Sequence, residues 1–145
     1  MGLRATPIPA KDAARLAAVH QRCFAQSWSD AEFASLMQNP TVQGLGLVED
    51  DRDIGLALLQ NVASETEILT FGIIPARRGN GMGYFLLDAV ADMARASGSS
   101  ALFLEVSATN LAAVHLYQGY GFEQISTRAA YYADRSDAWI FRLAL

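Results

Sequence analysis

Leu16, Val19, His20, Cys23 and Phe24 recur at i, i+3, i+4, i+7 and i+8, the spacing of one helical face. They predict a first helix over about residues 11–24, with His20 and Cys23 on its packing stripe rather than in a catalytic or metal pair. Ser29 is a good N-cap, and Glu32 three residues later completes a capping box. Trp28 and Phe33 flank that start as a hydrophobic staple, and the second helix ends before Asn39-Pro40. The period then shortens. Val42 to Val48 and Ile54 to Val62 read as a hairpin around the polar turn Glu49 to Asp53. Glu67 to Ile74 is a third strand, apolar enough at its end to be covered on both faces, and Pro75 stops it. Gly83, Leu86, Leu87, Val90, Ala91 and Ala94 mark a helix from about Met82 to Ser97, with Gly98 just past its end. Ala101 to Val106 is a short strand and Asn110 to Gln118 a short helix. Phe122 to Tyr132 and Ala138 to Leu145 are a last pair of strands. The order ααββ, βαβα, ββ predicts an α/β fold with a mixed sheet and helices packed on it.

The 145 residues are 52% hydrophobic and 18% charged, enough apolar material for one domain over 1–145 and too much for disorder. A net charge of −4 disfavours nucleic acid as partner, because phosphate contacts need a basic face. Cys23 is the only cysteine, so no internal disulfide can form, and with two histidines it offers no metal-ligand cluster. No apolar run approaches the roughly 18 residues of a membrane span, and the N-terminus lacks a signal-peptide core. A cytoplasmic setting without metal or membrane is expected.

The most informative segment is Ile73-Ile74-Pro75-Ala76-Arg77-Arg78-Gly79-Asn80-Gly81-Met82-Gly83-Tyr84. An apolar strand enters a basic, glycine-rich loop that opens a helix. The first helical turn leaves N–H groups unpaired and carries partial positive charge, and glycines let that backbone close on an anion. Such a loop suits a phosphate or diphosphate. It is not a Walker loop, since no lysine follows the glycines, and Tyr84 stands where a dinucleotide fingerprint needs its third glycine. A glycine-rich turn with two surface arginines is the other reading. Two further residues carry potential chemistry. Glu105 interrupts the apolar strand Leu102-Phe103-Leu104-Glu105-Val106; it is either a general base or a strand-end carboxylate met by water or an arginine. Tyr117 lies two turns after the capping residue Asn110, as a packing residue or an acid.

Arg78-Gly79-Asn80-Gly81-Met82-Gly83 matches R-x-x-G-x-G and resembles the acyl-CoA diphosphate loop of the GNAT superfamily of N-acetyltransferases. Ser27-Trp28-Ser29, Leu104-Glu105-Val106 with Asn110, Leu116-Tyr117 with Gly121-Phe122, and Tyr131-Tyr132 extend the resemblance over nearly the whole chain, to the ribosomal-protein-alanine N-acetyltransferase (RimI-like) branch. The resemblance implies a mostly antiparallel central sheet of six to seven strands flanked by about four helices. It implies acetyl-CoA as co-substrate, with Phe71, Gly72 and Ile73 along the pantetheine arm, Arg78, Gly79, Asn80, Gly81, Met82, Gly83 and Tyr84 at the diphosphate, and Asn110 on the CoA arm. It implies Glu105 as base and Tyr117 as acid. Trp28, Tyr131 and Tyr132 would wall a groove for an extended peptide end. The sequence departs from the pattern at Ile74, where many relatives carry a polar residue, and at Tyr84, where they often carry a basic one.

The chemistry suits these residue types. A protein α-amine titrates at about 8, so roughly a tenth is neutral at pH 7, and a partly buried carboxylate can take the remaining proton. N–H groups near Ile73 could hold the oxyanion. A thiolate titrating at about 8.5 can draw a proton from a phenol at about 10 for roughly 2 kcal/mol. The leading expectation is acetylation of a protein N-terminus, such as that of a ribosomal protein. A small-molecule amine acetyltransferase and a non-catalytic acyl-CoA-binding module are the alternatives.

Overall fold

The computed structural model describes residues 2–145. Seven strands, β1 Leu3–Ile8, β2 Val42–Glu49, β3 Arg52–Val62, β4 Glu65–Ile73, β5 Ala101–Ser107, β6 Glu123–Arg128 and β7 Ala138–Ala144, form one sheet in the order β1-β2-β3-β4-β5-β7-β6. Every neighbouring pair is antiparallel except β4 with β5. Four helices accompany it: α1 Ala13–Cys23, α2 Asp30–Met37, α3 Met82–Ala96 and α4 Leu111–Tyr120. Helix α3 is the crossover that the parallel β4–β5 pair requires.

Leu56, Ala57, Leu58 and Leu59 are all fully buried. Side chains alternate faces along a strand, so four in succession mean that β3 is covered on both sides. Helix α1 packs on β3 and against α2, and α3 packs on β3, β4 and β5. The α2 start is the predicted capping box: Ser29 Oγ accepts from Glu32 N–H, and Ser29 N–H donates to Glu32 Oε1, each at 3.1 Å. The Trp28 and Phe33 rings lie 5.4 Å apart as the expected staple.

Three elements differ from the sequence expectation. Strand β1 was not foreseen, because Arg4, Thr6 and Pro7 break its apolar pattern. It is an edge strand paired only with β2, where proline is tolerated. The polar turn shrinks to Asp50-Asp51, both at positive φ, because Glu49 and Arg52 still pair. Strand β6 stops at Arg128, and Ala130 at φ 49° ends its extension, so Tyr131 and Tyr132 belong to the β6–β7 loop. No helix among the described residues is long and apolar enough to cross a membrane.

Candidate active site

The site is a fork in the sheet. Strands β4 and β5 pair only through Glu65–Ala101, Thr66–Leu102 and Glu67–Phe103, although both run on. Just past that point β4 carries a bulge: Leu58 faces Thr70 while Leu59 faces Ile68, so Leu69 is the extra residue. The bulge turns the rest of β4 away from β5 and leaves one edge of each strand without a strand partner. Ile74 donates its N–H to the Ile54 carbonyl at 2.9 Å, so its main chain faces β3. By the two-residue alternation, the main-chain groups of Ile73 and Phe71 face the fork and those of Gly72 face β3.

Two adjoining cavities occupy the fork, sharing Phe24, Phe71, Asn110, Ala113 and Tyr117. The first, of about 260 Å³, also touches Cys23, Gly72, Ile73, Arg78 and Leu116. The second, of about 240 Å³, also touches Leu69, Glu105, Ser107 and Tyr132. Gly72 is glycine for a packing reason. A Cβ there would lie 3.0 Å from Phe24 Cε2 and 3.1 Å from Cys23 Cβ, so the end of α1 rests on the bare backbone of β4. Burial pushes the Cys23 thiol up, against the pull of Arg78 and Arg22.

The glycine loop has the expected form but a different charge arrangement. Gly79 and Gly81 sit at φ 83° and 77°, and a Cβ at either would meet nothing within 4 Å, so their outer faces are open. Gly81 caps α3 without any side-chain hydrogen bond. The first helical bond runs from Phe85 N–H to the Gly81 carbonyl, which leaves the N–H groups of Met82, Gly83 and Tyr84 as the unpaired first turn. Arg78 instead braces the protein: its Nε donates to the Ile73 carbonyl at 2.8 Å and its Nη2 to the Cys23 carbonyl at 3.2 Å. Arg77 is paired with Glu49 at 2.6 Å. Asn80 donates to the Arg78 carbonyl, and Tyr84 stacks on Tyr120 at 5.9 Å. For an anion at this loop, main-chain amides are therefore more available than the two guanidinium groups.

The opposite wall is β5 and α4. Asn110 caps α4, its Oδ1 accepting from Ala113 N–H at 3.3 Å, and lines both cavities. Tyr117 is 7% exposed among Phe71, Phe122 and Phe141, and burial pushes its phenol well above the ordinary range. Glu105, its side chain 26% exposed, lies 3.3 Å from Arg128 Nη1. An arginine does therefore reach this strand carboxylate, and it comes from β6. The fork also brings Glu67 near: its carboxyl is pushed up by burial, then by the charge of Glu105, while Arg128 draws it down.

The aromatic candidates separate. Tyr132 lines the Glu105 cavity, and burial and Glu105 push its phenol up. Tyr131 is exposed, edge-on to Tyr132 at 5.2 Å, with the Arg128 guanidinium over its ring at 5.2 Å. Trp28 lies outside both cavities, in a groove with Glu32, Ser35, Leu36 and Leu69, so that Leu69 alone joins it to the fork. Trp28 also stacks on His20 at 5.0 Å. His20 is a packing residue, as its stripe predicts. Its Nδ1 accepts from Trp28 N–H at 3.1 Å, so Nε2 carries the proton and donates to Thr70 Oγ1 at 3.0 Å. Sequence reasoning missed Phe24, Leu69 and Arg128. Phe24 arrives with the end of α1 over the bare backbone of Gly72, Leu69 through the bulge and Arg128 through the β6–β7–β5 pairing, and none of these long-range placements leaves a local signal.

The family model described as "Acetyltransferase (GNAT) family" matches residues 13–122. The chain is 32% identical over 130 residues to the ribosomal protein bS18-alanine N-acetyltransferase of Escherichia coli K12, covering 88% of this chain and 87% of that one. It is 32% identical over 141 residues to the protein of the same name from Haemophilus ducreyi, covering 93% and 95%. The crystal structure of the ribosomal-protein-S18-alanine N-acetyltransferase from Escherichia coli matches with a TM-score of 0.89 at 29% identity, over 99% of this chain and 94% of that one. The forked sheet, the glycine loop and these matches agree, and the chain belongs to the GNAT acetyltransferase family.

Proposed function

We propose that this acetyltransferase moves the acetyl group of acetyl-CoA onto the N-terminal α-amine of a protein, with Glu105 as base and Tyr117 as acid. The observation that carries the reading is the pair of adjoining cavities. One runs along β4 to the brace of Arg78, and the other holds Glu105, with Tyr117 and Asn110 shared between them. A thioester laid along the first cavity meets an amine arriving through the second. The relatives named for ribosomal protein bS18-alanine acetylation support a protein N-terminus as acceptor, and a ribosomal protein as the first to test. The chain fits acetyl-CoA chemically. The diphosphate would take the unpaired amides of Met82, Gly83 and Tyr84 beside the open faces of Gly79 and Gly81. The pantetheine amides would pair with the fork-facing main chain of Phe71, continuing the β4 ladder; Ile73, whose carbonyl is held by Arg78, would keep its N–H for the thioester end, and Asn110 would meet the CoA arm.

In the transfer, Glu105 takes a proton from the ammonium, directly or through water, and the neutral amine attacks the thioester carbonyl. The N–H of Ile73 faces the fork and can stabilise the oxyanion. Tyr117 then protonates the departing thiolate. Its raised pKa keeps it protonated at every working pH but makes donation to a thiolate in water more uphill than for an ordinary phenol. The same dry pocket raises the thiol's own pKa, which restores part of the match.

The test offers acetyl-CoA with two peptides of the same sequence, one with a free N-terminal alanine and one with that amine blocked. The free peptide alone should be acetylated, and Glu105→Gln should lower kcat by about 100-fold or more while CoA affinity stays within twofold. Equal acetylation of both peptides at a lysine side chain would sink the acceptor reading, and loss of CoA binding in Glu105→Gln would make that residue structural.

A further inference from the structure

We infer that Ser136 is a positioning residue: joined to Ser107 on the strand of Glu105, it holds Tyr132 against the acceptor cavity. The inference rests on the acceptor reading given above and adds a residue to it. Tyr132 brings the β6–β7 loop to the Glu105 cavity, whereas Ser136 and Asp134 line neither cavity of the fork, so they reach the site only through Tyr132. The loop turns tightly after this tyrosine. Arg135, at φ 67°, donates its N–H to the Tyr132 carbonyl at 2.8 Å, and Tyr132 donates its own N–H to the Ser136 carbonyl at 3.2 Å. Where Ser136 is held therefore decides where Tyr132 stands. A run of hydroxyls holds it. Ser136 Oγ lies 2.6 Å from Asp134 Oδ1 and 2.9 Å from Ser107 Oγ, and Ser107 Oγ lies 2.9 Å from Thr109 Oγ1.

The direction of the run follows from its end. A carboxylate only accepts, so Ser136 gives its one hydroxyl proton to Asp134. Its oxygen then accepts from Ser107, and Ser107 accepts from the hydroxyl of Thr109 and, at 3.3 Å, from the Thr109 N–H. Each hydroxyl donates once, all towards Asp134, and hydrogen bonds aligned in this way strengthen one another. The Ser136 N–H also donates to Asp134 Oδ1, at 2.9 Å, and these two bonds from Ser136 hold the Asp134 carboxyl below the usual range. Ser107 lies two residues past Glu105 on β5, so the two side chains stand on one face, and both line the same cavity. The other ties of the loop lie at its base. Asp137 accepts from Ala130 N–H through Oδ1 and from Ala108 N–H through its carbonyl, each at 2.9 Å. They hold the two ends of the loop and leave free the turn that carries Tyr132. Among the described residues, the Ser107–Ser136 bond is the one side-chain hydrogen bond that ties this turn to the strand of Glu105.

The experiment uses the full chain with Ser136→Ala and Ser136→Thr. Ser136→Ala removes the hydroxyl at the centre of the run and keeps the main-chain bonds of the turn. With the free N-terminal alanine peptide it should raise KM for the peptide about fivefold, the net loss expected for one hydrogen bond, while kcat and CoA affinity stay within twofold. Ser136→Thr keeps the hydroxyl and should bring KM back to within twofold of wild type. An unchanged KM in Ser136→Ala, a rise that Ser136→Thr fails to correct, or a fall in kcat at unchanged KM overturns the inference. A second measurement is independent of the acceptor. Hydrogen exchange of the Tyr132 amide, followed by NMR, should show protection about fivefold lower in Ser136→Ala and also lower in Ser107→Ala. The double variant should lose no more than Ser136→Ala alone, because the second change finds the shared bond already gone. Additive losses, or protection equal to wild type, would sink the proposal. Failure of the wild type to acetylate the peptide, with the Tyr132 amide responding as expected, would count against the protein acceptor and not against Ser136.

Discussion

His20 shows how far a buried imidazole can be read from its hydrogen bonds. It is 3% exposed, stacks on Trp28 and meets Phe24 and Phe33, and both ring nitrogens are used. Replacing it by leucine keeps most of the apolar volume but orphans the Trp28 N–H and the Thr70 hydroxyl. Each orphan costs about 1–3 kcal/mol, less where water can reach, so the expected loss is about 3 kcal/mol. In a domain of this size that is a fall in Tm of roughly 6–12 °C. The pH dependence gives an independent check. Burial holds the folded imidazole below the ordinary value of 6.5, against a weaker pull from Glu32. The unfolded chain therefore binds more protons just below that value, and stability rises with pH there. The contribution is complete above about 6.5 and is lost as pH falls towards the folded midpoint. Urea unfolding from pH 7.5 down to 5 should show that decline in the wild type and a flatter profile in His20→Leu, with unchanged m-values. A loss below about 1 kcal/mol with parallel pH profiles would refute the bonding scheme.

Two glycine substitutions separate packing from anion binding. Gly72→Ala should cost about 1–3 kcal/mol in thermal unfolding, because Cys23 Cβ at 3.1 Å and Phe24 Cε2 at 3.0 Å cannot both yield without moving the end of α1; a wild-type Tm would show that α1 does not rest there. Gly81→Ala meets no atom within 4 Å, yet its φ of 77° costs about 1–2 kcal/mol for a residue with a Cβ. It should lower CoA affinity, measured by calorimetry, by more than that stability loss, since the Cβ stands on the proposed phosphate side of the loop; CoA affinity equal to wild type would remove the loop from the cofactor site.

What the sequence made legible was local. The Ser29–Glu32 box, the glycines ahead of α3 and the Asn110 cap depend on residues three or four positions apart, and the structure realises each one. The stripe that put His20 in the core was legible for the same reason, since helical spacing decides which face is buried. Strand β1 was not, because an edge strand with Arg4, Thr6 and Pro7 carries no alternation, and its pairing with β2 closes over about forty residues. The bulge at Leu69 leaves no mark in an apolar run. The partners of Glu105, Arg77 and Arg78 lie on other elements, so the composition of the glycine loop announced positive charge that Glu49 and two carbonyls take up.

That last difference bears on how such a site holds a diphosphate. A free arginine beside a phosphate contributes long-range attraction that salt screens within about 8 Å at physiological ionic strength. An amide in a first helical turn contributes a short, directed bond that depends on backbone shape. With Arg77 on Glu49 and Arg78 on the carbonyls of Ile73 and Cys23, the protein spends its guanidinium groups on shape. Arg78 ties the end of β4 to the end of α1, the two elements that meet across the bare backbone of Gly72. The same contact fixes where Ile73 presents its N–H to the fork. In this arrangement the loop that would hold the nucleotide end and the amide that would meet the thioester oxygen are set by one brace. Cofactor position and catalytic geometry are then a single mechanical property of the β4–α1 junction.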